Sequence, residues 1–361
     1  MKIIDIYIIK KFLTTFFLSI VLILMIVVVF DISERMEDYL LKKPPLKEII
    51  FDYYFNFLPF FANRFSPLFT FIAVIYFTSR MAYQSEIISI LGSGISFQRM
   101  LLPYMISAAA LASMSLYLNH FIIPKSNGVR LAFEEKYIRN PYENRDKNIH
   151  RQISPGNYIY VTSYNHRIQS GYQFSFEKIK NGERYYYLRS DKITWDSTQG
   201  KWSLDNYFIR TINGMTEAIS MGAKLDTSLH FQPSEFGTRE TKIESMQTPD
   251  LITYIEEEKL KGSSLIPYYE SEKHWRTAFP FATFVLTLIG VSVASRRVRG
   301  GIGWQLGVGL LISFSYILFM QVSTTFATNG SFSNNLTFVA VWIPNVIFTV
   351  LALLMLRSTP K

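Results

Sequence analysis

Six stretches of the chain are almost uniformly apolar: roughly residues 12–31, 55–78, 101–123, 276–294, 302–326 and 337–356. A helix needs about 20 mostly apolar residues to cross a bilayer core, so each stretch predicts a transmembrane helix. The second is the least clean, because Arg64 lies inside it between Pro59 and Pro67. Between the third and fourth stretches the apolar period changes to two. Tyr158-Ile159-Tyr160-Val161-Thr162 and Tyr172-Gln173-Phe174-Ser175-Phe176 alternate as half-buried strands do. Asn181-Gly182 separates the latter from Tyr185-Tyr186-Tyr187-Leu188, a strong hairpin signal. Thr198-Gln199-Gly200, between Ile193-Thr194-Trp195 and Trp202-Ser203-Leu204, marks another turn, and Asn213-Gly214 a third. Short strands at regular turn spacing predict a sandwich or jelly roll. Residues 249–261, with Pro249 near the start and Gly262 after the end, predict a short helix leading back to the membrane.

The pattern therefore predicts a polytopic α-helical membrane protein: six transmembrane helices with an inserted, extracytoplasmic, all-β jelly-roll-like domain. The expected divisions are 1–123 for helices one to three, 124–270 for the β domain and 271–361 for helices four to six. Composition agrees with this patchwork. Only 18% of the 361 residues are charged, against about 25% in soluble chains, and the charges crowd into segments such as 134–151. The apolar run after Lys10 and Lys11 is long for a signal peptide, and Asp31-Ile32-Ser33-Glu34 follows it where a small-residue cleavage site would stand, so it reads as a retained first helix.

Charge sets the expected orientation. Lys/Arg concentrate in cytoplasmic loops. Lys2, Lys10 and Lys11 precede the first span; Arg80 and Arg99 flank the turn after the second; Arg296, Arg297 and Arg299 follow the fourth; Arg357 and Lys361 follow the sixth. With six spans all of these fall on one side, which places both termini in the cytoplasm and the β domain outside. One loop dissents: Arg35, Lys42, Lys43 and Lys47 lie on the predicted outside, mixed with Asp31, Glu34, Glu37 and Asp38. That cluster reads either as a solvated loop or as a basic rim facing phosphorylated lipid head groups. Lys273 and Arg276 enter the fourth span at the same level. Arg64 reads either as a charge facing a cavity or as a side chain reaching the interface. The net charge of +9 carries no zinc-finger spacing, RNP-like motif or compact basic helix, so nucleic acid is not the implied partner.

The turn between the second and third spans is the most informative short stretch. About residues 81–92 form an amphipathic segment with Ile87, Ile90 and Leu91 on one face; Gly92 and Gly94 end it and Ser96 caps the next helix. Such a helix suits docking of a nucleotide-hydrolysing partner, and an ordinary interfacial connector has the same pattern. No G-x-x-x-x-G-K-[ST] occurs in the chain, so it lacks that route to ATP hydrolysis. Gly303 and Gly307 have the G-x-x-x-G spacing of close helix contacts. There is no cysteine, which excludes disulfides and thiol chemistry. His150, His166, His230 and His274 show no metal-ligand spacing, and no nucleophile–base set or carboxylate pair is localised enough to argue catalysis.

The whole chain resembles the LptF/LptG permease family. Three stretches carry the likeness. The first is Ile4-Asp5-Ile6-Tyr7-Ile8 through Lys10-Lys11-Phe12, which leans toward the LptG side of the pair. The second is Gln84-Ser85-Glu86-Ile87 with Gly94-Ile95-Ser96, similar to the family's coupling helix. The third is Phe279-Pro280 through Ile289-Gly290-Val291, then Arg296-Arg297 and Gly300-Gly301, continuing to Val341-Trp342-Ile343-Pro344-Asn345. The resemblance implies a permease subunit of an ABC transporter that extracts lipopolysaccharide from the bacterial inner membrane. It implies a paralogous permease as partner, a cytoplasmic LptB-like ATPase dimer that binds the ATP and Mg, and an LptA/LptC-like periplasmic bridge. This chain itself would hold no cofactor. Glu86 matches the family's coupling-helix glutamate, with Ile87, Ile90 and Leu91 beside it. The segment Asp31 to Arg35 matches the place where the family carries lipid-sensing basic residues, and here Arg35 is the only basic one.

An amphipathic, anionic cargo fits a carrier with an apolar cavity, a basic rim and an aromatic-rich β domain. Two other readings compete. A mechanotransmission-type ABC membrane protein also couples an ATPase to an external domain, but usually with four spans and the domain after the first. A membrane enzyme acting on lipid-linked glycans needs acidic or histidine residues at the outer surface, and no convincing set is present.

Overall fold

The computed structural model describes residues 2–140, 142, 146–237, 239–295, 301–328 and 336–357. The topogenic residues Arg296, Arg297, Arg299 and Lys361, and Gly300 of the family-like stretch, lie outside the described residues. Among the described residues six helices are long and apolar enough to cross a membrane, as the hydrophobic pattern predicts. The chain divides into two compact units. One comprises Met1–Ile138, Glu244–Leu251 and Pro267–Lys361; the other comprises Arg139–Ile243 and Ile252–Ile266.

The helices are α1 (Ile3–Glu34), α2 (Met36–Lys42), α3 (Leu46–Glu48), α4 (Phe55–Tyr83), α5 (Glu86–Gly92), α6 (Phe97–Tyr117), α7 (Ile123–Tyr137), α8 (Thr248–Leu260), α9 (Ile266–Ala294), α10 (Gly301–Thr328) and α11 (Thr337–Arg357). π-helical turns join α3 to α4 at Ile49–Tyr54 and α6 to α7 at Leu118–Ile122. The third spanning segment therefore runs unbroken from Phe97 to Tyr137. This moves the start of the β unit from the expected residue 124 to Arg139. Lys125 to Tyr137 is too polar to register as span, yet it continues the helix because Ile123, Leu131 and Phe133 are buried. The segment expected to dock a partner is also shorter than the sequence suggests. Residues 81–83 finish α4, and the helix proper starts at Glu86.

Lipid does not drive apolar helices together as water does, so packing in a bilayer rests on close contact and buried polar pairs. Both are present. A methyl group on Gly290 of α9 would meet Val74 of α4 at 2.9 Å, and one on Gly309 of α10 would meet Ile75 of α4 at 2.1 Å. Among the described residues, a methyl group on Gly303 or Gly307 would meet nothing within 4 Å. Close packing within the chain thus uses Gly290 and Gly309, and the expected Gly303/Gly307 pair faces away. The spacing motif says which glycines share a face but not which face meets a neighbour. Buried polar pairs join the remaining helices: Asn63 donates to Asn119 at 2.6 Å, Ser115 donates to Asn63 at 2.7 Å, and Tyr316 donates to Asn345 at 2.7 Å.

Two of the helix prolines, Pro280 and Pro344, are matched by side chains elsewhere. Pro280 has no N–H, so the carbonyl of Arg276 four residues earlier loses its helical donor; Asn119 supplies one at 3.0 Å. Pro344 leaves the carbonyl of Ala340 in the same state, and the Ser323 hydroxyl donates to it. In a membrane such replacement partners are what make an interior proline tolerable.

The jelly-roll-like unit is one antiparallel sheet of seven strands: β1 (Ile149–Ser154), β2 (Asn157–Val161), β3 (Ser163–Asn165), β4 (Ser170–Lys180), β5 (Glu183–Asp196), β6 (Lys201–Asn213) and β7 (Thr216–Thr227). The order is β1-β2-β4-β5-β6-β7, with β3 paired to β4. The three predicted turns sit where expected. Asn181 and Gly182 have φ of 55° and 83° and close the Lys180–Glu183 hairpin, as a type I′ turn requires. Tyr185–Leu188 and Ile193–Trp195 belong to a single strand, β5. One face buries Ile159, Val161, Phe174, Leu188, Ile193 and Trp202. Trp202 donates its indole N–H to the carbonyl of Phe231 at 3.0 Å. The alternate tyrosines Tyr158, Tyr172 and Tyr185 are exposed, so period two separates a core-forming set from an outward-facing aromatic set.

Candidate functional site

Two places on the helical unit gather the residues singled out from the sequence. The first is the short helix α5. Ser85, with φ of 61°, turns the chain out of α4. Gly94, with φ of 84°, turns it toward α6, where the Ser96 hydroxyl accepts from the Arg99 N–H at 3.2 Å. Ile87 is buried in a cluster with Ile8, Phe12, Met81 and Phe97, and Ile90 and Leu91 pack against its edge. The predicted apolar face therefore anchors α5 to its own chain. Burial removes Ile87 from any outside contact; the exposed apolar side chain is Ile88, at 62%. Glu86 is partly exposed. Its carboxylate accepts from the Tyr7 hydroxyl at 2.9 and 3.1 Å and lies 3.6 Å from Lys11 Nζ.

The second place is a crevice around Arg64. The guanidinium lies over the Trp275 ring, 4.8 Å from its centroid, and the residue is exposed. Arg64 and Trp275 line three cavities; one, of about 180 Å³, also has Asn63, Asn119 and Arg276 on its wall, and the remaining two differ in character. Of those two, one, of about 280 Å³, is polar, with Glu244, Glu272, Gln321 and Thr324 on its wall. The other, of about 210 Å³, is apolar, with Phe65, Leu68, Phe279 and Phe314. Both carboxylates of the polar cavity have basic neighbours. Glu272 is 3.0 Å from Arg276 Nε and Glu244 is 3.8 Å from Arg130 Nη2. Arg64 has no carboxylate partner among the described residues. It stands where a polar compartment meets an apolar one, as an amphipathic anion requires.

Arg276 lines one of these cavities with Arg64, and the remaining predicted head-group residues fall elsewhere. Arg276 is 2% exposed; it donates to Glu272 at 3.0 Å and to the carbonyl of Met246 at 2.8 Å. Those partners commit its guanidinium internally, so it does not present a free cation at the surface. Lys273 is paired with Glu270 at 2.6 Å. Arg35 donates through Nε to Asp31 at 2.9 Å and lies over the Tyr53 ring at 5.2 Å. Asp31 is held in turn by the hydroxyls of Tyr53 and Tyr54, each at 3.0 Å. Lys42 and Lys43 are exposed at the end of α2. Among the described residues no group of three His, Cys, Asp or Glu side chains is placed to hold a metal ion.

Sequence reasoning missed Tyr7, Lys11 and Trp275. Tyr7 and Lys11 stand four residues apart and so share a helix face, but nothing local identifies what that face meets. Trp275 lies 211 residues from Arg64, and the packing of α9 against α4 at Gly290, with the Asn63–Asn119–Arg276 hydrogen bonds, brings the two together.

Six helices long and apolar enough to span and an inserted β unit, among the described residues, define a multi-pass membrane protein. The family described as "Lipopolysaccharide export system permease LptF/LptG" matches residues 6–358, nearly the whole chain. The protein belongs to that family, the permease of the lipopolysaccharide export system. The match does not separate LptF from LptG. Comparison with curated proteins returns no match.

Proposed function

We propose that this chain is one permease subunit of an ABC transporter that extracts lipopolysaccharide from the bacterial inner membrane, with ATP hydrolysis supplied by a separate soluble subunit. The observation that carries the reading, beyond family membership, is the Arg64 crevice. A phosphorylated head group pairs with Arg64 on the polar side, and acyl chains enter the apolar cavity beside Phe65 and Phe314. In this reading α5 and both termini face the cytoplasm, and the ATPase docks there through Glu86. The β unit, about residues 139–266, lies in the periplasm and receives the lipid. Its edge strand β7 pairs only with β6 among the described residues, an edge that fits strand addition by a bridge protein. Only 17% of the most apolar stretch of α1 and 22% of that of α10 is buried within the chain, against 72% for α9. That leaves two helices with faces for a paralogous permease and for lipid.

Purification of the tagged chain from membranes in mild detergent tests this reading. Recovery of a second six-helix permease with a soluble ATPase supports it. Recovery of the chain alone, even after crosslinking, overturns it.

A further inference from the structure

The first three turns of α1 hold α5 on one flank and the start of α6 on the other. On one flank the Tyr7 hydroxyl donates to both Glu86 oxygens, at 2.9 and 3.1 Å. Lys11 Nζ lies 3.6 Å from the same carboxylate and 4.2 Å from the centre of the Tyr7 ring, so the three side chains form one closed set. On the other flank Asp5, 2% exposed, receives both Nη atoms of Arg99 at 2.7 Å. The Lys2 N–H donates to the same carboxylate at 2.8 Å. Between the flanks, Ile87 packs into a cluster with Ile8 and Phe12 of α1. The links from α5 to α4 and α6 are short and turn through left-handed backbone at Ser85 and Gly94. Its side-chain attachments to α1 are several and tight.

α1 is built to pass on what it receives. It is a single helix of 32 residues, about 48 Å long at 1.5 Å per residue. It contains neither proline nor glycine, the usual causes of a kink. Its far end carries Asp31, fixed by the Tyr53 and Tyr54 hydroxyls, and Arg35 beside it.

We infer that Tyr7 and Lys11 are positioning residues that latch Glu86 to α1, so that a displacement of α5 by a nucleotide-hydrolysing partner is delivered to α1 and through it to the Asp31–Arg35 end. The inference rests on the proposed docking role of Glu86. It adds which helix takes the stroke. A carboxylate has about four lone-pair sites, so one latched by Tyr7 and Lys11 still accepts a donor from the partner.

The test uses the complete transporter reconstituted in lipid, with three readouts: the amount of ATPase that co-purifies, the rate of ATP hydrolysis, and lipopolysaccharide extracted per ATP. Tyr7→Phe removes the hydroxyl and keeps the ring; Lys11→Met removes the charge and keeps the stem. Both are expected to assemble and hydrolyse ATP like the wild type while extracting about fivefold less lipid per ATP, or lower still. Lys11→Arg restores the ion pair and is expected to restore extraction. Normal extraction per ATP by both Tyr7→Phe and Lys11→Met overturns the latch and leaves the docking role standing. Loss of the ATPase from both variants also overturns it, because the residues then act in assembly. Glu86→Lys separates the two levels: if it retains the ATPase and exports normally, docking through Glu86 fails, and the latch with it.

Discussion

The side-chain amide of Asn119 donates at 3.0 Å to the carbonyl of Arg276, the oxygen that Pro280 strips of its helical donor. The pairing predicts a specific double-mutant result. Asn119→Leu leaves a buried carbonyl without a donor, at a cost of about 1–3 kcal/mol, and lowers the unfolding temperature in detergent. Pro280→Ala returns an N–H to the helix. Asn119→Leu is therefore expected to cost clearly less in the Pro280→Ala background. Equal losses in the two backgrounds would show that Asn119 matters only through Asn63 and Ser115.

The helix glycines divide by what a side chain would meet. Gly290→Val drives a branched side chain into Val74 and Phe71, and overpacking of this kind costs about 1–3 kcal/mol. Gly303→Val, with open space around its Cβ among the described residues, is expected to stay within about 0.5 kcal/mol. Thermal unfolding of the purified chain in detergent decides the ranking, and a larger loss at Gly303 would contradict the packing described.

In the β unit, Gly156 has φ of 78°, and a methyl group there would sit 2.5 Å from the carbonyl oxygen of Ile179. Gly182 has φ of 83° with nothing within 4 Å among the described residues. Gly156→Ala adds a backbone clash to the left-handed penalty of about 1–2 kcal/mol, whereas Gly182→Ala incurs the penalty alone. Limited proteolysis of the full chain should cut the β unit of the Gly156 variant first.

Burial pushes the His166 imidazole below its ordinary value. Its Nε2 is buried without a hydrogen-bond partner among the described residues, and the rings of Tyr142 and Tyr164 lie 4.9 and 4.7 Å away. The unfolded chain therefore takes up a proton before the folded one does. Stability is full above about pH 6.5, the unfolded value. It declines as pH falls through that value, and the decline ends once the pH is below the lower folded value. Unfolding of the full chain followed by tryptophan fluorescence at about pH 7.5 and 5.5 is expected to show a smaller loss in His166→Phe than in the wild type; equal losses assign the effect to other groups.

Arg64→Gln removes the cation of the crevice that has no ion-pair partner among the described residues. A photoreactive group at Trp275 should then capture about tenfold less lipopolysaccharide, equivalent to about 1.4 kcal/mol. Arg64→Lys should recover part of it, since a point charge replaces a planar fork. Undiminished capture in Arg64→Gln would remove the arginine from head-group recognition.

The six spans, the period-two insert, its turns and the α5 segment were all legible along the chain. Each is a local property: length of apolar run, alternation, turn chemistry. So was the family, because the motifs that carry it are short and stand in order. What packing decided is which side of each element does the work. Ile87 lies on the apolar face of α5 that the pattern picks out, but the direction of that face makes it an anchor. Gly303 and Gly307 share a face by spacing, while Gly290 and Gly309 meet α4. Arg276 and Arg64 are both arginines at helix positions; only tertiary structure buries one among Glu272 and the Met246 carbonyl and leaves the other over Trp275 at the mouth of a cavity. Periodicity determines which residues share a face. What that face meets depends on partners more than 200 residues away, as Gly309 and Ile75 are, and no local pattern encodes that distance.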